Sequence, residues 1–131
     1  MRLKKILIVL IVLIIIRCLP AQIYNPQNEV NIKVRVVLIY ESNLYEQKDF
    51  VMIKGINLTD KKLYIFEIAP RWFLKEDFFN SINPGEIINI VGAFSIGQKN
   101  IIIARTISSG LTEVVLRTEK GFPLWRVPHK K

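Results

Sequence analysis

The chain has 131 residues, with 19 basic and 11 acidic side chains, one cysteine and one histidine. That length fits one domain, and a lone cysteine and a lone histidine exclude a disulfide framework, a histidine–cysteine metal site and the usual nucleophilic triads. The formal charge of +8 does not mark a nucleic-acid binder: Arg2, Lys4, Lys5 and Arg17 stand in the leader, and the remainder carries 15 basic against 11 acidic residues, a net of +4.

The N-terminus begins with Arg2, Lys4 and Lys5, followed by an unbroken aliphatic run from Ile6 to Ile16, closed by Arg17. A basic start before a short apolar run is the pattern of an export signal, because the positive end stays cytoplasmic while the run enters the translocon. Residues 1–21 therefore read as a signal peptide or an N-terminal membrane-anchor helix. Cleavage would fall around Leu19 to Ala21; anchoring would extend the span to Ile23, with Arg17 reaching back to the interface. Lipidation at Cys18 is the third fate, disfavoured by Ile16 and Arg17 where small residues belong. Either way the body lies outside the cytoplasm, periplasmic or membrane-anchored. Residues 22–29, with Asn25-Pro26, read as a linker.

From Val30 to Tyr40, Val30, Ile32, Val34, Val36, Leu38 and Tyr40 alternate with polar residues, which predicts a strand with one buried and one wet face. Glu41 to Lys48 reads as a polar loop. Phe50 to Asn57 and Lys62 to Ala69 are predicted strands joined as a hairpin. Arg71 to Ile82 reads as a short aromatic helix, and Asn83-Pro84-Gly85 as a turn. Three more strands follow, over Glu86–Phe94, Ile101–Ile107 and Leu111–Thr118. Gly92 inside the first of them predicts a bulge or sharp bend. Phe122 to Trp125 forms an aromatic tail, and residues 127–131 a basic one.

Three strands, a short helix, then two or three strands is the order of an OB-like barrel. The expected fold is all-β: a closed or partly open barrel of five to six antiparallel strands over residues 30–126, with one short helix. The stretches Ile68–Leu74, Pro84–Gly92, Ile103–Arg105 and Leu116–Trp125 resemble small exported bacterial OB-like domains, among them the domain shared by the magnetosome proteins MamS and MamX. The most specific piece is the closing Leu-Arg-x-x-x-Gly-x-Pro-Leu-Trp. Haem-bearing relatives of that kind carry Cys-x-x-Cys-His, which this chain lacks, so the resemblance implies a fold and an export route but no redox role.

Residues that carry chemistry are few. His129 stands in the basic tail, where nothing fixes it for catalysis. Glu76 and Asp77 are neighbours on a helix and diverge, so they do not face one substrate. Glu67 and Lys54 read as a cross-strand ion pair. Asn57-Leu58-Thr59 has the form of a glycosylation acceptor. No catalytic residue, metal ligand or cofactor is expected. The candidate binding residues are Lys54, Tyr64 and Phe66 on strands two and three, together with Arg71, Trp72, Arg105, Arg117 and Trp125. On those strands one alternating set must fill the core, and the other would leave an apolar patch with Lys54 at its edge. The expected function is a non-enzymatic exported adaptor for a protein or envelope component, attached to the membrane if the leader is uncleaved. The alternative is a single-stranded nucleic-acid or oligosaccharide module that uses the arginine–aromatic set; export argues against nucleic acid.

Overall fold

The computed structural model describes residues 24–110 and 112–126, so the expected signal or anchor segment, Cys18 and His129 lie outside the described residues. Six strands form one sheet: β1 (Glu29–Leu44), β2 (Gln47–Asn57), β3 (Leu63–Pro70), β4 (Ile87–Phe94), β5 (Ile101–Ser109) and β6 (Thr112–Val115). Among the described residues one six-residue α-helix, α1 (Glu76–Ser81), lies between β3 and β4. The spatial order is β3-β2-β1-β4-β5-β6, and β3 also pairs with β5, so five strands close into a ring. This is the OB-like barrel expected from the strand order. Every neighbouring pair is antiparallel except the closing one, in which Ile65, Phe66 and Glu67 run parallel to Ile101, Ile102 and Ile103.

The alternation of β1 sets its inside and outside. Ile32, Val34 and Val36 are buried, whereas Lys33 and Arg35 are exposed. Val34 and Val36 meet Ile53, Phe66, Ile68, Ile88, Ile90 and Ile107 in one continuous core. Near 25 cal/mol per Å² of apolar surface, that burial is the main force holding a domain without disulfides.

Gly92 sits at the expected bulge. The register jumps from Val91↔Thr106 to Gly92↔Ala104, which leaves Arg105 as the extra residue on β5. A Cβ at Gly92 would stand 2.3 Å from the Ile103 carbonyl oxygen, so only glycine lets the two backbones approach this closely.

Four segments differ from their sequence reading. The polar loop expected over 41–48 is instead strand: β1 continues to Leu44, and Tyr45-Glu46 makes a two-residue hairpin turn into β2. Both turn residues have positive φ, 53° and 62°, the geometry that matches strand twist but is usually built from Asn and Gly. The aromatic helix is shorter than expected, because Arg71–Phe73 is a 3-10 turn and α1 begins only at Glu76. Finally, β6 ends at Val115, and the chain continues as a strap. Within 22–29, read as a linker, the residues from Tyr24 onward belong to the folded unit: Tyr24 is buried, and β1 starts at Glu29.

The strap closes a seam. The first residues of β5 pair with β3, while Thr106 to Ser109 pair with β6, so β3 and β5 part company halfway along. Leu116 and Arg117 donate their main-chain N–H groups to the carbonyl of the bulge residue Arg105 at 2.8 and 3.3 Å. Trp125 then packs edge-on against Phe50 and Phe73, each at 5.8 Å between ring centres. At the other terminus, Arg105 grips Glu29 through two bonds of 2.9 and 2.7 Å, and the Tyr24 hydroxyl donates to the same carboxylate at 2.7 Å. Tyr24 lies so close to Gly121 that a Cβ there would stand 2.4 Å from the Tyr24 Cβ.

Candidate functional site

Register decides which side chains of β2 and β3 look outward. Ile53 pairs with Phe66 and Gly55 with Tyr64, and these face the core. Tyr64 and Phe66, two of the candidate binding residues, are therefore interior: Phe66 is fully buried, and Tyr64 donates its hydroxyl to Asp60. The opposite set holds Lys54, Ile56, Leu63 and Ile65. Cross-strand neighbours extend this set into rows. Ile87, Arg35, Ile56 and Leu63 line up across β4, β1, β2 and β3, and Leu38, Lys54 and Ile65 line up beside them. Lys33 stands opposite Asn89 in the next position.

This outer face interleaves aliphatic side chains with cations. Leu38, Leu63 and Ile87 are 46%, 48% and 49% exposed, Lys33 and Arg35 are exposed, and Lys54 is half-buried among its neighbours. Lys54 thus lies between Leu38 and Ile65 rather than at the edge of the patch. Val37, the extra residue of a β1 bulge, adds another exposed aliphatic. Acidic residues occupy none of these rows among the described residues. Asp60 and Glu86, on the bordering turns, are engaged with Tyr64 and with Asn83.

The other candidates do not gather into one site. Arg71 pairs with Glu41 at 3.3 Å, and its guanidinium lies 4.7 Å over the Phe79 ring. Trp72 is 62% exposed and donates through Nε1 to Gln47 at 3.3 Å. Arg105 is committed to Glu29. Arg117 is buried, lies 5.1 Å over the Trp125 ring and donates to the Gly121 carbonyl at 3.0 Å. Trp125 is buried with it. These last two form part of the seam, with the arginine covering the aromatic rather than presenting it.

The expected Lys54–Glu67 pair does not form. Glu67 stands opposite Met52, is only 2% exposed and accepts the Tyr45 hydroxyl. Burial pushes its carboxyl above the usual range, against the pull of the Tyr45 hydroxyl and Arg117. Burial and the adjoining Glu67 carboxyl push the Tyr45 phenol far up. Tyr45 thus holds its unfavourable backbone through this bond and an edge-on contact with Phe50 at 5.6 Å. A charged residue inside the apolar run Ile65–Ala69 was the available signal for this cluster. Asn57, the glycosylation candidate, is nearly buried, and its Oδ1 accepts the Thr59 N–H at 2.9 Å, so the side chain is already engaged. Glu76 and Asp77 are exposed on the first turn of α1, where negative charge suits the helix dipole.

Glu67 and Glu29 predict opposite pH effects. The Arg105 bonds hold the Glu29 carboxyl below its usual range. Its contribution is therefore present above the unfolded value of about 4.3 and lost as pH falls through its folded value. The Glu67 value is raised, so its contribution is present below about 4.3 and lost as pH rises through its folded value. Denaturant midpoints measured against pH should show Glu29→Gln flattening the acid-side loss. Glu67→Gln should flatten the loss on the other side. The same change of slope from both variants would contradict the assignment.

A groove of about 310 Å³ runs between Leu38–Glu41 of β1 and a wall made by Arg71, Phe79, Ile82, Asn83 and Pro84. Among the described residues, no group of three or more acidic, histidine or cysteine side chains is placed to hold a metal ion, and no helix is long and apolar enough to cross a membrane. Comparison with known protein families, with curated proteins and with solved structures finds no match.

Proposed function

We propose that the chain is a non-enzymatic, exported binding module that recognises a protein or another envelope component. The observation supporting this is the outer face of β4, β1, β2 and β3, where Leu38, Ile56, Leu63 and Ile87 alternate with Lys33, Arg35 and Lys54. A contiguous apolar surface interleaved with one sign of charge suits a macromolecular partner of opposite charge. The export route rests on the leader and on the resemblance to exported OB-like domains.

The nucleic-acid or oligosaccharide alternative needs aromatic platforms for bases or sugar rings. Aromatic side chains are missing from the rows of this face. Of the cations expected to serve that role, Arg105 and Arg117 are tied to Glu29 and to the Gly121 carbonyl, and Arg71 pairs with Glu41 away from this face.

Site-specific photo-crosslinking in the full chain, in cells that make it, tests the reading. A crosslinker at position 63 or 87 should give one discrete protein adduct, and a crosslinker at position 113 on β6 should not. The adduct should fall at least tenfold when Arg35 and Lys54 are both changed to glutamate, as expected for loss of about 1.4 kcal/mol or more. Equal adducts from all three positions, or adducts containing nucleic acid that vanish steeply with salt, would remove the proposal.

A further inference from the structure

β4 accompanies β1 only from Glu29 to Arg35. One residue later, Val36 still exchanges main-chain bonds with the incoming turn, donating to Glu86 at 2.8 Å and accepting from Gly85 at 2.7 Å. From Val37 to Leu44, β1 has β2 on one side and, among the described residues, no main-chain partner on the other. Two bulges bracket this stretch, one at Val37 on β1 and one at Lys48–Asp49 on β2, opposite Asn43. Between them, Leu38 to Ser42 keep an unbroken register with Lys54 to Phe50. Bulges, charges and coverings are how proteins protect a free edge. Here a straight window of five residues is left between two of them.

The groove of about 310 Å³ opens beside that window. One wall is the strand itself. Ile82 on the other wall is buried, Phe79 is half-buried, and the Arg71 guanidinium lies across the Phe79 ring. The Arg71–Glu41 pair has side chains 57% and 37% exposed. An ion pair that wet is weakly held, so another carboxylate can take the place of Glu41 at little cost.

We propose that this edge of β1 takes an extended segment of a partner protein as an added strand, in the place that β4 vacates. A row of main-chain donors and acceptors selects an extended main chain, and pockets for alternate side chains give such docking its specificity. The segment places an apolar side chain against Phe79 and Ile82 and a carboxylate on Arg71. The net +4 of the chain beyond its leader favours such an acidic partner. This surface meets the outer face of β4–β1–β2–β3 at Leu38 and otherwise lies beside it, and it deepens the adaptor reading by stating how a partner main chain is held.

The test uses the full chain in a mild detergent and three synthetic six-residue peptides. One alternates valine and glutamate, its twin carries N-methyl groups on alternate amides, and the third has lysine in place of glutamate. Amide hydrogen exchange is read by NMR. The unmodified acidic peptide should slow exchange at alternate residues within Leu38–Ser42, and N-methylation should weaken binding at least about tenfold, because it removes several main-chain donors. Arg71→Glu, at an exposed site, should weaken the acidic peptide and strengthen the lysine one. Equal binding of the methylated twin would overturn the proposal, as would no protection of Leu38–Ser42 at millimolar peptide. Shifts confined to Lys33, Arg35 and Lys54 would overturn it while leaving the proposed function standing.

Discussion

Trp125→Ala should lower the stability of the domain by about 3–5 kcal/mol, the usual cost of deleting a buried aromatic. The ring is 7% exposed and touches Phe50, Phe73 and the Arg117 guanidinium. It joins the strap to β2 and to the 3-10 turn after β3, so its loss opens a cavity in the core. It also uncovers Arg117, whose Nε already has no hydrogen-bond partner among the described residues. Trp72→Ala is the control. That ring is 62% exposed, and its removal should change stability by no more than about 0.5 kcal/mol. Urea or thermal denaturation of the two variants would check both numbers. A loss under about 1 kcal/mol for Trp125→Ala would mean that the strap contributes little to closing the seam.

Gly92→Ala should be nearly as damaging, by about 3 kcal/mol, at the upper end of what overpacking costs. The added methyl would meet the Ile103 carbonyl oxygen at 2.3 Å and the Ile103 carbonyl carbon at 3.0 Å. The obstacle is backbone, so no rotamer change relieves it. Either the β4–β5 ladder opens or the bulge at Arg105 shifts, and the bulge also presents the carbonyl that receives Leu116 and Arg117. Gly97→Ala separates this crowding from simple backbone strain. Gly97 has φ of +81° but open space around it, so alanine there should cost only about 1–2 kcal/mol. Losses of equal size at the two positions would show that crowding between β4 and β5 is not the reason for Gly92.

Much of the barrel was legible because its strands announce themselves. The alternation of β1 from Val30 to Tyr40 and the turn residues at Pro84-Gly85 and Gly97 obey local rules, and Gly92 marked its bulge for the steric reason just described. The Tyr45-Glu46 hairpin was not legible. A tight turn with both φ positive normally advertises itself with asparagine or glycine, and here a tertiary bond from Tyr45 to Glu67 holds the geometry instead. The start of α1 was not legible, because an aromatic run fits a 3-10 turn as well as a helix.

At the candidate site, period-two reasoning showed that one set of β2–β3 side chains must face outward and that Lys54 belonged to it. It did not say which β3 residues join Lys54, because β3 is apolar on both parities, Tyr64 and Phe66 on one and Leu63 and Ile65 on the other. Only the pairing of Ile53 with Phe66 and of Lys54 with Ile65 decides that. Arg35 and Ile87 were invisible as site residues, since they join Lys54 through strand order rather than through sequence. For the arginine–aromatic set the converse holds: residue type suggests recognition, while neighbours unseen in the sequence, Glu29 and the Gly121 carbonyl, engage Arg105 and Arg117.

The grip of Arg105 and Tyr24 on Glu29 also has a mechanical meaning. A pull on the chain at Tyr24 meets those bonds and the contact with Gly121 before it reaches the ladder between Glu29 and Ala93. Tension entering at this terminus is therefore passed sideways, into β5 through Arg105 and into the strap through Gly121, and does not peel β1 from its end. The clamp distributes load like a strain relief on a cable. Because the strap's Leu116 and Arg117 hang from the Arg105 carbonyl, one residue links the point where force enters to the seam that keeps the barrel shut.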